Sequence, residues 1–166
     1  MYRLFKGIEL MGNYAFIDGN NLHLGVKAYN WQVDYKKFRV YLKDKYSVVK
    51  AYYFIGRVPG NEALYEYLAS AGYTLVFKPI VQDSIGTIKG NCDAELVLQA
   101  MIDYNNYDQA VIVSSDGDFA CLAKHLQENN KLNIVLAPHP ESASILLKRA
   151  TNKISYLENV KSKISK

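Results

Sequence analysis

Short apolar runs recur along the chain, separated by stretches in which apolar residues return every three or four positions. Five runs stand out, at 14–17, 48–55, 73–77, 110–113 and 132–136. Most are rich in β-branched or aromatic residues and end in Gly, Pro, Asp or Ser, so they are predicted strands. Their nearly continuous apolar character suits strands buried on both faces, as in a parallel sheet. Between them lie helical stripes: Tyr35, Phe38, Tyr41 and Leu42; Leu64, Tyr67 and Leu68; Leu96, Val97, Ala100, Met101 and Tyr104; Phe119, Leu122, Ala123 and Leu126. A last stripe is Ile145, Leu146 and Arg149. The alternation of strand and helix predicts an α/β fold with a doubly wound, mostly parallel central sheet and helices on both faces. The connection from about 79 to 90, with Asp83, Gly86, Lys89 and Gly90, shows no clear pattern. Connections of that length inside a compact domain commonly serve function.

Topology turns this pattern into a placement. In a right-handed βαβ unit the strand runs one way and the helix returns, so strand ends and the following helix starts share one edge. Ligands of open α/β sheets bind at that carboxyl edge. Asp18 ends the first strand, Asp116 and Asp118 follow the fourth, and Asp93 opens the helix before it. All four are therefore expected at one edge. Asp93 also shares a helical face with Val97, Ala100 and Tyr104, which turns it toward the sheet.

Singly, each acid has an ordinary explanation. Asp116 or Ser115 can cap a helix, and Asp118 can favour its positive end by roughly 0.3–1 kcal/mol. Asp93 can be a first-turn acid, and Asp18-Gly19 a turn. Together they are harder to explain. Two carboxylates ~4 Å apart repel by about 4 kcal/mol at an effective dielectric near 20. A bound Mg²⁺ or Mn²⁺ removes that repulsion, so a divalent metal site is expected. Arg57, Lys78 and Lys89 are predicted at the same edge, where positive charge would frame the acids and suit a phosphodiester backbone. Solubility alone also explains each cation. Tyr52, Tyr53 and Tyr65 are candidates for stacking on bases, with core packing the better reading for the two in a strand.

Composition narrows the class. At 166 residues the chain fits one domain, expected as 1–166 with an N-terminal extension at 1–12 and a C-terminal tail at 159–166. Hydrophobic residues make up 49% and charged residues 22%, an ordinary globular balance. The formal charge of +4 favours approach to a polyanion only weakly. Cys92 and Cys121 form no CxxC pair, and His23, His125 and His139 are scattered, so neither a disulfide framework nor a zinc site is expected. Charges interrupt the N-terminal apolar residues, and no run reaches the ~20 residues of a membrane span. A cytoplasmic protein with no membrane partner is expected, and a homodimer is left open.

Three segments carry a resemblance. Phe16-Ile17-Asp18-Gly19-Asn20-Asn21, Lys89-Gly90-Asn91-Cys92-Asp93-Ala94-Glu95-Leu96 and Val113-Ser114-Ser115-Asp116-Gly117-Asp118-Phe119 resemble the NYN domain, in the LabA-like branch of the PIN-like nuclease superfamily. The likeness spans roughly residues 13 to 158, including 150–157, which resembles the family's closing strand. It implies a Rossmann-like PIN fold and metal-dependent cleavage of RNA, single-stranded RNA being the expected partner. By motif position Asp18, Asp93, Asp116 and Asp118 match the family's acidic metal-binding residues. Asn21 matches a polar neighbour of the first acid, and Ser115 a small hydroxyl residue that can cap a helix or touch a phosphate. Gln99 departs from the pattern, because related sequences often carry another acid there.

The leading expectation is therefore a Mg²⁺- or Mn²⁺-dependent ribonuclease. Asp18, Asp93 and Asp116 would hold the ion, with Asp118 binding directly or through water. Such an ion activates water and neutralises the attacked phosphate. Ser114 and Ser115 have no evident histidine base, so a covalent intermediate is not expected. Two rivals follow. A catalytically weak or inactive RNA-binding or regulatory module is favoured by Gln99. A Mg²⁺-dependent phosphatase or phosphotransfer enzyme also uses a strand-end Asp, but Asn20 stands where a second acid is common. No GxGxxG follows the first strand, which disfavours a dinucleotide site.

Overall fold

The computed structural model describes residues 11–79, 81–82, 88–89 and 92–166, with 79, 81–82 and 88–89 described for their backbone alone. The strands in chain order are β1 (Asn13–Asp18), β2 (Val48–Arg57), β3 (Thr74–Pro79), β4 (Val81–Gln82), β5 (Ile88–Lys89), β6 (Ala110–Val113), β7 (Leu132–Ala137) and β8 (Ile154–Tyr156). The helices are α1 (Gly19–Lys27), α2 (Tyr35–Tyr46), α3 (Glu62–Ser70), α4 (Asp93–Ile102), α5 (Ala120–Glu128), α6 (Ile145–Ala150) and α7 (Lys161–Ile164). Six strands form one sheet in the order β3-β2-β1-β6-β7-β8, and every neighbouring pair in it is parallel. The expected α/β fold, a parallel central sheet with helices on both faces, is what the chain adopts.

The period of two along β1 builds two cores. Ala15 and Ile17 face one side of the sheet, with Leu22 of α1, Phe38 and Leu42 of α2, Leu68 of α3 and Ile164 of α7. Phe16 faces the other side, with Leu96 and Ala100 of α4, Leu122 and Leu126 of α5 and Leu147 of α6. Both faces of the sheet are thus covered, which is why its central strands are apolar throughout. From β1 the chain winds outward through β2 to β3. It then returns to the middle and winds the other way from β6 to β8. The reversal falls between β1 and β6, where a crevice opens at the carboxyl ends of the strands.

Several expectations need correction. Helix α1 follows β1 directly, where the first expected helical stripe begins only at Tyr35. Met101 is 40% exposed although it was placed on the apolar stripe of α4. In α6 the buried residue is Leu147, while Ile145 and Leu146 are exposed at 59% and 54%. The stretch expected as a tail packs onto the fold, with Ile164 fully buried and Ser165 bridged to Val33. Within the connection read as patternless, β4 and β5 pair antiparallel. Asp83, Gly86, Gly90 and Asn91 lie outside the described residues, as do 1–10 of the expected extension. Among the described residues, no helix is long and apolar enough to cross a membrane.

Candidate metal centre at the carboxyl edge

Asp18 stands where β1 gives way to α1. Its Oδ1 accepts the Asn21 backbone N–H at 3.2 Å, capping the helix. Gly19 makes the close approach possible, because a Cβ there would lie 2.3 Å from Tyr53 Cε1 and 2.7 Å from the Phe54 carbonyl oxygen. Across the crevice, Asp116 caps a single 3₁₀ turn, Gly117–Phe119, by accepting the Asp118 N–H at 2.9 Å. Asp93 opens α4 in its first turn, after the cap position Cys92, which makes no side-chain capping bond. The ordinary capping role therefore holds for Asp18 and Asp116, but it does not account for their meeting.

They do meet. One carboxylate oxygen from each of Asp18, Asp93 and Asp116 lies within 4.8 Å of the other two. Two serines hold the arrangement. Ser114 Oγ donates to Asp18 Oδ2 at 3.4 Å and accepts the Asp116 N–H at 3.1 Å, linking two acids through one buried hydroxyl. Asn21 Oδ1 accepts both the N–H and the Oγ–H of Ser115, at 2.9 and 3.0 Å. That pair ties α1 to the end of β6. Ser115 is buried and its hydroxyl is engaged with Asn21.

The electrostatics follow from the crowding. Burial, then the neighbouring charges of Asp93 and Asp116, push the Asp18 carboxyl up from 3.8 to about 6 against the opposing hydrogen bonds from Asn21 and Ser114. Cys92 borders the same cleft, and burial with the nearby Glu95 and Asp18 charges raises its thiol to about 11. The thiol is not among the groups that converge, which are Asp18, Asp93 and Asp116. The donor set is thus all carboxylate oxygen, which suits a hard cation such as Mg²⁺ or Mn²⁺. The acids line an open cleft of about 480 Å³, with Asn20, Leu24 and Gly56 on its walls.

Other predicted residues are placed differently. Asp118 is exposed and lies outside the three-carboxylate cluster. Lys78 reaches Glu95, in the first turn of α4, at 3.4 Å. Arg57 is exposed, with its guanidinium 4.9 Å from the centre of the Phe77 ring. Lys89 lies in β5, and its side chain is outside the described residues. Gln99 is engaged elsewhere. Its amide donates to Asp103 Oδ2 at 3.0 Å and to the Tyr52 hydroxyl at 3.4 Å. Tyr52, Tyr53 and Tyr65 are all buried, so none stands out from the surface as a stacking platform. In particular, the Tyr65 hydroxyl accepts the Val58 N–H at 2.8 Å. The residue missed in the sequence is Ser114. Its signal was its place between a buried strand and Asp116, where a hydroxyl can reach both sides.

The NYN domain profile matches residues 14–158. The chain is also similar to the low amplitude and bright protein LabA of Synechococcus elongatus, 27% identical over 161 residues that span 91% of this chain and 86% of that protein. Among solved structures, a protein of unknown function from Vibrio parahaemolyticus superposes with a TM-score of 0.78 at 22% identity. That match covers 95% of this chain and 98% of the other, so the two share their whole fold.

Proposed function

The chain belongs to the NYN domain family, in the LabA-like branch of the PIN-like nucleases, and on that premise we propose that it is a ribonuclease whose cleft acids hold Mg²⁺ or Mn²⁺. The observation that carries this reading is the convergence of Asp18, Asp93 and Asp116 within 4.8 Å. Helix capping at Asp18 and Asp116 gives no reason for a third carboxylate, from the first turn of α4, to meet the other two.

Asp18, Asp93 and Asp116 would hold the ion. Asp118 is a candidate for contact through water. A bound divalent ion supplies charge neutralisation at a phosphate and acidifies water. The chain's own residues do the rest. Ser114 keeps the Asp18 and Asp116 carboxylates turned toward one point. Asn21 and Ser115 fix α1 against the end of β6, so that the acids are preorganised. Lys78 and Arg57 put positive charge on the same edge, where an RNA backbone would approach, and Lys89 is assigned the same role. Support for the inactive-module reading weakens, because Gln99 bonds to Asp103 and Tyr52 in a different network.

The test is cleavage of labelled single-stranded RNA and DNA with Mg²⁺, Mn²⁺ or EDTA, using Asp93→Asn prepared identically. Metal-dependent cutting of RNA, lost in EDTA and in the variant, is expected. Cutting that survives Asp93→Asn would remove the site assignment.

A further inference from the structure

A second cavity adjoins the acidic cleft. Its volume is about 470 Å³, and it shares Asn20, Ile55 and Gly56 with the cleft as a common wall. It lies at the same sheet edge, between the starts of α1, α2 and α3. Its character is different. Among the described residues, no Asp or Glu side chain lines it. The deep side is apolar and aromatic, formed by Val33, Tyr35 and Tyr53, with Ile55, Val58 and Leu64 toward the opening. The two tyrosine hydroxyls are satisfied within the protein, since Tyr53 donates to Tyr35 at 3.0 Å. The rim is neutral and polar, carrying the amides of Asn20, Gln32 and Asn61 and the imidazole of His23. Lys166 adds a cation at the edge.

An apolar recess of this size with a few amide groups at its mouth is the usual form of a pocket for a flat heterocycle with polar edges. Amide and imidazole side chains read the hydrogen-bonding edges of unpaired bases. The absence of acidic side chains suits a ligand tethered to a phosphate, while the acids next door account for where that phosphate would sit. Resting on the nuclease reading above, we propose that this cavity takes the base of the nucleotide adjoining the phosphate held over Asp18, Asp93 and Asp116. A base can enter a recess only when it is unstacked and unpaired. The pocket therefore selects single-stranded RNA, or the frayed end of a duplex, over an intact helix.

The test measures binding, so that it stands apart from cutting. Short single-stranded RNAs of about four nucleotides, each intact or abasic at one position, are titrated by fluorescence anisotropy. Ca²⁺ replaces Mg²⁺, and gels confirm that the RNA stays whole. The proteins are wild type, Leu64→Trp and Asn61→Trp. Asn61 is the cap residue of α3 and Leu64 lies in its first turn, and both are exposed, so a larger side chain fills the cavity from its mouth without entering the core. Circular dichroism checks that both variants are folded. Removing the base at one position is expected to weaken wild-type binding about tenfold. Filling the cavity is expected to weaken intact RNA to a similar degree. The two changes together should be no worse than either alone, because both remove one interaction. Effects that multiply, an abasic scan with no sensitive position, or equal affinity for a blunt duplex would overturn the pocket. If wild type still cuts RNA with Mg²⁺ in any of those cases, the nuclease reading survives and only the cavity assignment falls.

Discussion

Replacing Asp18 with Asn should stabilise the metal-free protein at neutral pH and destabilise it when a divalent ion is present. The Asp18 carboxyl is raised from 3.8 to about 6, first by burial and then by Asp93 and Asp116. Between those two pH values the folded protein holds a proton that the unfolded chain has released. Stability from this group is therefore fully present below about 4 and lost as pH rises through about 6. The full span corresponds to about 3 kcal/mol. Asp18 is only partly buried, and solvent screening reduces this to about 1–2 kcal/mol. Asn keeps the capping acceptor for the Asn21 N–H and carries no charge. Its amide nitrogen replaces the oxygen that accepts from Ser114, so it is the pH dependence of the difference that isolates the charge. The assay is urea denaturation of wild type and Asp18→Asn from pH 4.5 to 8, in EDTA and again in Mn²⁺. In EDTA the variant should gain about 1–2 kcal/mol on wild type between the ends of that range. In Mn²⁺ at a hundred times its dissociation constant, wild type should gain about 2.7 kcal/mol that the variant largely lacks. Parallel pH curves in EDTA, together with no stabilisation of wild type by Mn²⁺, would refute the reasoning.

Other outcomes can be checked with simpler measurements. Asn21→Ala removes the acceptor for the buried Ser115 N–H and its hydroxyl, so thermal or urea denaturation should show a loss of about 1–3 kcal/mol. RNA cleavage should fall with it, because α1 loses its tie to β6. Gln99→Glu, which supplies the acid expected there from the family resemblance, would set a second carboxylate beside Asp103 near the Tyr52 hydroxyl. It should lower stability by about 1–3 kcal/mol and leave Mn²⁺ affinity by calorimetry unchanged, whereas tighter metal binding would mean that Gln99 does face the cleft. Leu147→Ala, at the one fully buried position of α6, should cost about 2–5 kcal/mol in urea denaturation. Leu146→Ala, on the exposed face, should move stability by less than about 0.5 kcal/mol.

The sheet was legible because its central strands are buried on both sides and must be apolar throughout, as in Ala110–Val113. The placement of Asp18, Asp93 and Asp116 at one edge followed from the handedness of the crossovers alone, and their carboxylates do lie together. What the chain concealed is local. Helix α1 begins Gly19-Asn20-Asn21, residues that favour turns, and it buries only Gly19, Leu22 and Val26. Its start is fixed by Asp18 capping and by the absence of a Cβ at Gly19, which are tertiary facts. Helix α6 has six residues, too few for periodicity to choose between Leu146 and Leu147. Strand β8 has three residues, each only partly buried, and it was reached through family resemblance rather than pattern. Asp118 shows the limit of spacing. Two positions beyond Asp116, the 3₁₀ turn carries it outward to solvent. Gln99 shows the same limit, since it is held by Asp103, one turn further along the same helix, and by Tyr52 of β2.

The central claim is that three carboxylates form one divalent metal site. The most direct test is a crystal soaked in Mn²⁺ and measured for anomalous scattering. The account predicts a peak in the cleft, about 2.0–2.2 Å from oxygens of Asp18, Asp93 and Asp116, and its loss in Asp93→Asn. A peak bound elsewhere, or none at saturating Mn²⁺, would contradict it.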